Sequence, residues 1–260
     1  MTPDFTNLSV KVFDTECTGL DDPGVVEYAY VEIDPSAVVS GFFLLESPKY
    51  ENFPGDGGMR NSVKPMTLGA LATHHILPEE YEDQPIFNFD RDVGNESVII
   101  GHNIDFDWKA SNCPPTPRIC TLAMARRIWP DLDSHTLAAL TYHIHGANEL
   151  TRNCLKQAHR ATADVMLTMD LLFHLLAQRP ELNSWAKVWE FSEDARLPRR
   201  WSFGKFGPNG KANPNNPVGR PLHDADSGYL KWVRGNCTDR DDWEYLEKAL
   251  DKMQAGELAP

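Results

Sequence analysis

Two carboxylates one residue apart, Asp14 and Glu16, close the apolar run in the stretch VKVFDTECTGL, residues 10–20. The β-branched residues before them read as a strand, and residues i and i+2 of a strand point to one face. Both carboxylates therefore aim at one place, at the end of a predicted buried element. Burying one unpaired charge is costly, and two side by side cost more. The pair needs a positive partner, either a distant cationic side chain or metal, and a hard divalent cation with oxygen ligands suits it. A bare D-x-E also fits surface decoration at a strand end. Thr18 and Gly19 follow, and a glycine there lets a ligand or another backbone come close.

Two further clusters have residue types of the same chemistry. In GHNIDFD, residues 101–107, an apolar run leads straight into His102, Asn103, Asp105 and Asp107. Loops at strand ends are where α/β proteins place their reactive groups. Asn103 and one acid also suit the simpler task of capping the next helix, with Asp105 as the cap and Asp107 turned toward the site. In AHRATAD, residues 158–164, His159 precedes Asp164 by five positions. Five residues of an ideal helix diverge by about 140°. The two converge only if His159 lies on the loop or first turn ahead of the regular helix.

These groups need elements to position them. Strands are predicted at 8–13, 25–33 and 38–45, separated by the turn segments LDDPG and DPSA, as in an antiparallel meander. Residues 47–65 read as a Gly/Pro-rich loop, followed by helical patterns at 66–74 and 78–92. SVIIGH, 97–102, is short and β-branched enough for a buried strand. A helix begins near Asp105 and stops before Cys113-Pro114-Pro115. Helical spacing recurs at 119–129 and 135–145, and most strongly at 161–178, which ends at Arg179-Pro180. Strands first and helices interleaved later predict a mixed sheet with helices packed on it. The expected organisation is a domain over 1–180, a helical linker over 181–196 and a small basic, aromatic module over 197–260.

Composition bounds the function. With 260 residues, 41% hydrophobic and 24% charged, the chain has the apolar material of a globular core. No run of 18 apolar residues predicts a transmembrane helix, so no membrane partner is expected, and MTPDFTNLSV lacks the pattern of a signal peptide. Five scattered cysteines, never in C-x-x-C, point to reduced thiols and a cytoplasmic setting rather than disulfides or a zinc site. A net charge of −13 ordinarily opposes a nucleic-acid ligand. Residues 196–240, however, carry nine Lys or Arg against three Asp, a net +6 against −19 for the remainder. The absence of a Gly-rich phosphate loop after the first strand excludes a dinucleotide-binding enzyme.

Taken in order, D-x-E, H-N-x-x-F-D and H-x-x-x-x-D resemble the motif set of the DEDDh branch of the 3′–5′ exonuclease superfamily. The similarity extends to RICTLAMARRIWPDLDSHTLAAL, between the second and third motifs. It also extends to WSFGKFG…GRPLHDADSGYLKW, which resembles a small module following the nuclease domain in such proteins. The resemblance implies an α/β fold: a ribonuclease H-like mixed β-sheet flanked by helices, with a small C-terminal module. It implies that Asp14, Glu16, Asp107 and Asp164 hold two divalent cations, Mg²⁺ or Mn²⁺, and that His159 is the general base. A tyrosine in place of His159 marks the sister branch. The implied reaction releases nucleoside 5′-monophosphates from a DNA 3′ end, single-stranded or frayed.

By the same resemblance Thr18, Gly19, Leu20, His75, Ile76 and Asn103 line the terminal-nucleotide pocket. Ordinary core packing is the other reading of Leu20 and Ile76, and a surface position that of His75. The C-terminal segment interleaves Trp201, Phe203, Phe206, Tyr229 and Trp232 with Lys205, Lys211, Arg220, Lys231 and Arg234. The aromatics are expected to form the module's own core, and the cations to grip phosphate. An RNA-trimming exonuclease of the same branch shares the catalytic set. A catalytically dead, nucleic-acid-binding version should lack an acid or the histidine, and all five are present. Two departures from the family pattern, the long loop at 47–65 and WKASNCPP after Asp107, bear on the shape of the groove.

Overall fold

In the chain's computed structural model, the described residues are 3–5, 8–34, 55–156, 158–203, 218–238 and 243–258. They divide into two compact units, Met1–Glu193 and Asp194–Pro260. The first is built on a five-stranded sheet in the order β3-β2-β1-β4-β5. Strand β1 is Ser9–Cys17, β2 Val25–Ile33, β3 Asp56–Met59, β4 Ser97–Gly101 and β5 Arg118–Cys120. β1 pairs antiparallel with β2, and β2 with β3; β4 runs parallel to both β1 and β5. The mixed sheet flanked by helices agrees with the expected fold class.

One face of the sheet makes the core. Val10 and Val12 of β1, Ala29, Val31 and Ile33 of β2, Val98 and Ile100 of β4 and Ile119 of β5 are buried there. Against them pack helices α5 (Thr121–Ile128), α6 (Leu137–His145) and α8 (Ala161–Gln178), together with Trp185 and Val188 further along the chain. On α8 the buried positions Ala161, Val165, Thr168, Leu172 and Leu175 recur every three or four residues, the stripe by which a helix lies on a sheet. Its bounds are those the sequence pattern predicts.

The remaining elements are short. Helices α1 (Leu68–His74), α2 (Pro78–Tyr81) and α3 (Phe89–Asp92) precede β4; α4 (Ile104–Ala110) follows it, and α7 (Glu149–Leu155) precedes α8. The helix expected over 78–92 is two single turns, because Pro85 can neither donate a ladder hydrogen bond nor avoid the preceding carbonyl. The strand expected at 38–45 lies outside the described residues. The place beside β2 is taken by β3, DGGM, inside the expected loop; a Cβ on Gly57 would stand 2.5 Å from the Tyr28 carbonyl oxygen. The apolar run at 119–129 is divided between β5 and α5, a distinction that periodicity cannot draw in so short a stretch.

In the second unit, α10 (Ser227–Asn236) and α11 (Trp243–Gln254) close a small core of Leu197, Trp201, Leu222, Val233, Leu246 and Leu250. Helix α9 (Trp185–Arg196) spans the division between the units. Among the described residues no helix is long and apolar enough to cross a membrane.

Candidate active site

The side of β1 that buries Val10 and Val12 continues, by the two-residue period of a strand, into Asp14 and Glu16. The core face of the sheet thus turns acidic at the C-terminal end of β1. Pairing of β1 with β4 ends at Val12↔Ile100, so the β4-side edge of β1 is open beyond that point. Asp107 of α4 takes it over: its Oδ1 accepts from the Thr15 N–H at 3.0 Å and from the Thr15 hydroxyl at 2.7 Å. Gly101 makes that approach possible. A Cβ there would stand 2.6 Å from Ile104 Cδ1 and 2.9 Å from the Phe13 carbonyl oxygen.

Helix α8 brings the fourth acid. Oxygens of Asp14, Glu16 and Asp164 all lie within 4.8 Å of one another. His159 stands ahead of the regular helix, whose N-cap is Arg160, with φ of 67°. This is the placement that convergence with Asp164 requires, and the His159 N–H lies 3.4 Å from Asp164 Oδ1. The His159 side chain is exposed. His75 and Asn103 have φ of 58° and 71°. Left-handed backbone at a non-glycine residue is a strain that collects at functional sites.

Burial dominates the electrostatics. It lifts Asp14 well above the usual carboxylate range, and the Asp107, Asp164 and Glu16 charges lift it further. Burial, with Asp164 and Glu27, pushes Glu16 up to about 8. Burial takes Asp107 to about 7 against the two Thr15 hydrogen bonds, and Asp164 to about 6 against the neighbouring His159. Four acids in one low-dielectric place cannot all be ionised without added positive charge. The nearby cation, Arg160, is bound to Glu27 at 2.8 Å. The donor set, all oxygen, convergent and short of positive charge, fits hard divalent cations.

The nucleotide-pocket candidates separate. Thr18 is buried: its N–H donates to the Gly24 carbonyl at 2.9 Å, and its hydroxyl accepts from the Gly24 N–H at 3.1 Å. Gly19 lies against Thr67, where a Cβ would meet Thr67 Cγ2 at 2.8 Å. Thr67 in turn caps α1 through the Ala70 N–H. Leu20 is 83% exposed, whereas Ile76 is 0% exposed and packs with Val26 and Tyr81. The packing reading therefore describes Ile76, whose side chain has no open face. His75 is exposed at the C-cap of α1. Beside it, His74 is buried, with Nε2 3.2 Å from the Cys17 carbonyl oxygen. Asn103 is exposed and makes no side-chain cap; Asp105 pairs with Arg118 at 2.8 Å instead of capping α4. His102 reaches Thr121 and the His135 carbonyl, and burial lowers it to about 4.

In the second unit Trp201 is buried, and Phe203, Tyr229 and Trp232 pack around it, with the Trp201 and Tyr229 rings edge-on at 4.9 Å. Arg220 and Lys231 are exposed. Arg234 is engaged with Asp251 at 2.7 Å and Glu247 at 3.9 Å. Lys205, Phe206 and Lys211 lie outside the described residues.

No family model matches the chain. It is 26% identical over 231 residues to exodeoxyribonuclease 10 of Escherichia coli K12, covering 87% of this chain and 91% of that protein. It is 25% identical over 181 residues to the DNA polymerase III epsilon subunit of Aquifex aeolicus, covering 64% and 80%. A structure of exonuclease X in complex with 5′ overhanging duplex DNA shares the fold, with a TM-score of 0.50 and 24% identity over 68% of this chain and 99% of the other. In sequence and fold the chain is similar to 3′–5′ exonucleases of the DEDDh type.

Within this site the sequence reading missed Glu27 and Arg160. Glu27 pairs with Glu16 across the antiparallel ladder, so both carboxylates share a face, an unfavourable placement if uncompensated. Glu27 is only 5% exposed. Its carboxylate accepts from Arg160 Nε at 3.1 Å and a terminal guanidinium nitrogen at 2.8 Å, and from the Ala161 N–H at 3.0 Å. It therefore caps α8 and fixes the residue that follows His159. A signal was present: in VVEYAYVEI, Glu27 stands on the same parity as Val25, Ala29, Val31 and Ile33, where an apolar residue is expected.

Proposed function

We propose that the protein is a metal-dependent 3′–5′ exonuclease that hydrolyses DNA phosphodiester bonds from the 3′ end and releases nucleoside 5′-monophosphates. The observation that carries the reading is the gathering of Asp14, Glu16 and Asp164 at one point. Asp107 is held to the same strand end, and His159 stands beside Asp164. The four acids would hold two divalent cations, Mg²⁺ or Mn²⁺. When bound, such cations offset the clustered charge, lower the pKa of a water and stabilise the departing 3′ oxygen. His159, open to solvent, accepts the proton of the attacking water. Asp164 accepts from the His159 backbone N–H and so holds the turn that carries the imidazole. The left-handed turn at His159, anchored by Arg160 on Glu27, holds the ring ahead of the helix axis.

The exposed Leu20, with His75 and Asn103, would meet the terminal nucleotide; apolar contact from Leu20 does not depend on base identity. Thr18 and Gly19 shape that wall from behind. Arg220 and Lys231 would add phosphate contacts, with the module over 197–260 following a nuclease domain over 1–180. Their joint reversal, Arg220→Glu with Lys231→Glu, should reduce the salt slope of DNA binding by about two; an unchanged slope removes them from the grip. None of the five cysteines is joined in a disulfide, which supports a reducing, cytoplasmic setting.

The test is a time course on matched 5′-labelled DNA and RNA strands with Mg²⁺ or EDTA, beside Asp14→Ala. The expected result is a metal-dependent ladder shortening from the 3′ end, faster on DNA and absent in the variant. Preference for RNA would change the substrate and keep the mechanism. No ladder from folded, DNA-binding protein would overturn the reading.

A further inference from the structure

We propose that His145, Asp170 and His174 form a second metal site, for a transition-metal ion of the zinc class, separate from the carboxylate cluster. His145 is the last residue of α6, where the chain turns away through Gly146 at a φ of 79°. Asp170 and His174 lie four apart on α8, so they project from one side of it. The packing of α6 on α8 brings the three together. Asp170 Oδ2 lies 2.7 Å from His145 Nε2, and Oδ1 lies 3.6 Å from His174 Nδ1. The two imidazoles meet edge to face with centroids 5.4 Å apart. In the metal-free fold His174 Nδ1–H donates to the backbone carbonyl oxygen of Asp170 at 2.9 Å, a hydrogen bond that coordination through Nδ1 would release. Each residue offers a donor atom, and all three atoms lie within 4.8 Å of one another.

Two imidazoles and one carboxylate, with a side open to solvent, are the donors of a zinc-type centre with three protein ligands and water in the fourth position. Ligand atoms about 2.0–2.1 Å from a tetrahedral ion stand roughly 3.3 Å apart. The His145–Asp170 contact need open by well under 1 Å. The nitrogen donors select ions unlike those favoured by the carboxylate cluster: imidazole suits Zn²⁺, Co²⁺, Ni²⁺ and Cu²⁺, whereas oxygen ligands suit Mg²⁺ and Mn²⁺. Asp170 is six residues beyond Asp164 on α8, about 9 Å along the helix axis, so the two sites do not share a ligand. An ion there would tie the end of α6 to the helix that carries Asp164. The inference is independent of the nuclease reading.

The experiment uses the full-length chain with Asp14→Ala and Glu16→Ala, which disables the carboxylate cluster, in saturating Mg²⁺. Zn²⁺ binding is followed by calorimetry and Co²⁺ binding by its visible d–d absorption. The expected result is one equivalent of either ion, with the d–d spectrum of a nitrogen- and oxygen-ligated tetrahedral site and a Tm raised by Zn²⁺. Adding His145→Ala or His174→Ala should weaken binding by at least about 100-fold, since loss of even an outer-shell partner commonly costs 10–100-fold. Asp170→Asn, which keeps size and hydrogen bonding, should lose the ion without loss of the metal-free Tm, separating coordination from misfolding. Failure to bind either ion, or binding that survives both histidine substitutions, overturns the proposal.

Discussion

His159 and Glu27 show how single residues divide the work of the site. His159 is exposed, carries left-handed backbone and faces a half-buried acid through its own N–H. A general base contributes about 10²–10⁴ to rate, so His159→Ala should lower kcat by that range and leave the Kd for DNA nearly unchanged. Single-turnover kinetics beside equilibrium binding make the distinction, and equal losses in both would assign the histidine a structural role. Glu27 works at one remove. Truncating a buried, paired charge costs about 3–5 kcal/mol, but the Arg160 side chain is 46% exposed and Glu16 is relieved of a like charge. Glu27→Ala is therefore expected to cost about 1–2 kcal/mol, read from the denaturant midpoint. The same variant should lower kcat, because His159 loses its anchored neighbour. A double-mutant cycle with Arg160→Ala should show coupling above about 0.5 kcal/mol; additivity would dissolve the pair.

The elements place these groups through close approaches. Helix α4 lies near enough to β1 for Asp107 to reach Thr15 only because Gly101 lacks a side chain. Overpacking a closed contact costs about 1–3 kcal/mol. Gly101→Ala should fall in that range and also weaken Mg²⁺ binding, since Asp107 moves with the helix. Thermal melts with and without Mg²⁺ check both effects, and an unchanged metal-induced shift would show that Asp107 does not depend on this contact. The same elements show what could be read from sequence. The start of α8 and its 18-residue length are local facts, visible as helical period and a terminal Arg-Pro, whereas β1 runs past the expected 8–13 to Cys17 and carries both carboxylates within the strand. The divergence of His159 and Asp164 on an ideal helix even required the histidine to precede α8. Glu27 was hidden because its meaning depends on the register Glu16↔Glu27, which no local pattern specifies. Strand β3 was hidden for a related reason: DGGM has no strand propensity, and its glycines serve the close approach of a neighbouring backbone. Thr18 and Ile76 were legible as positions of interest, but whether a side chain faces ligand or core depends on the packing of α1.

At the scale of the whole molecule the acid cluster couples metal, pH and stability. Carboxyls in an unfolded chain titrate near 4, whereas Asp107 and Glu16 are lifted to about 7 and about 8 in the metal-free fold. Across that interval the native state holds protons that the unfolded state has already released. Stability contributed by these groups is complete below the unfolded value and is lost as pH rises through the folded ones. His102, lowered by burial to about 4, acts in the opposite sense, but only below the ordinary imidazole value of about 6.5. Between pH 6.5 and 8 the acids therefore govern the slope. In EDTA the Tm is expected to fall over this window. Divalent cations bind the ionised cluster, so the gap between Tm in Mg²⁺ and in EDTA should widen with pH. Asp14→Asn removes one charge from the cluster and should flatten both trends. A Tm in EDTA that rises from pH 6.5 to 8, or a gap indifferent to pH, would mean that the carboxylates find their compensation within the chain.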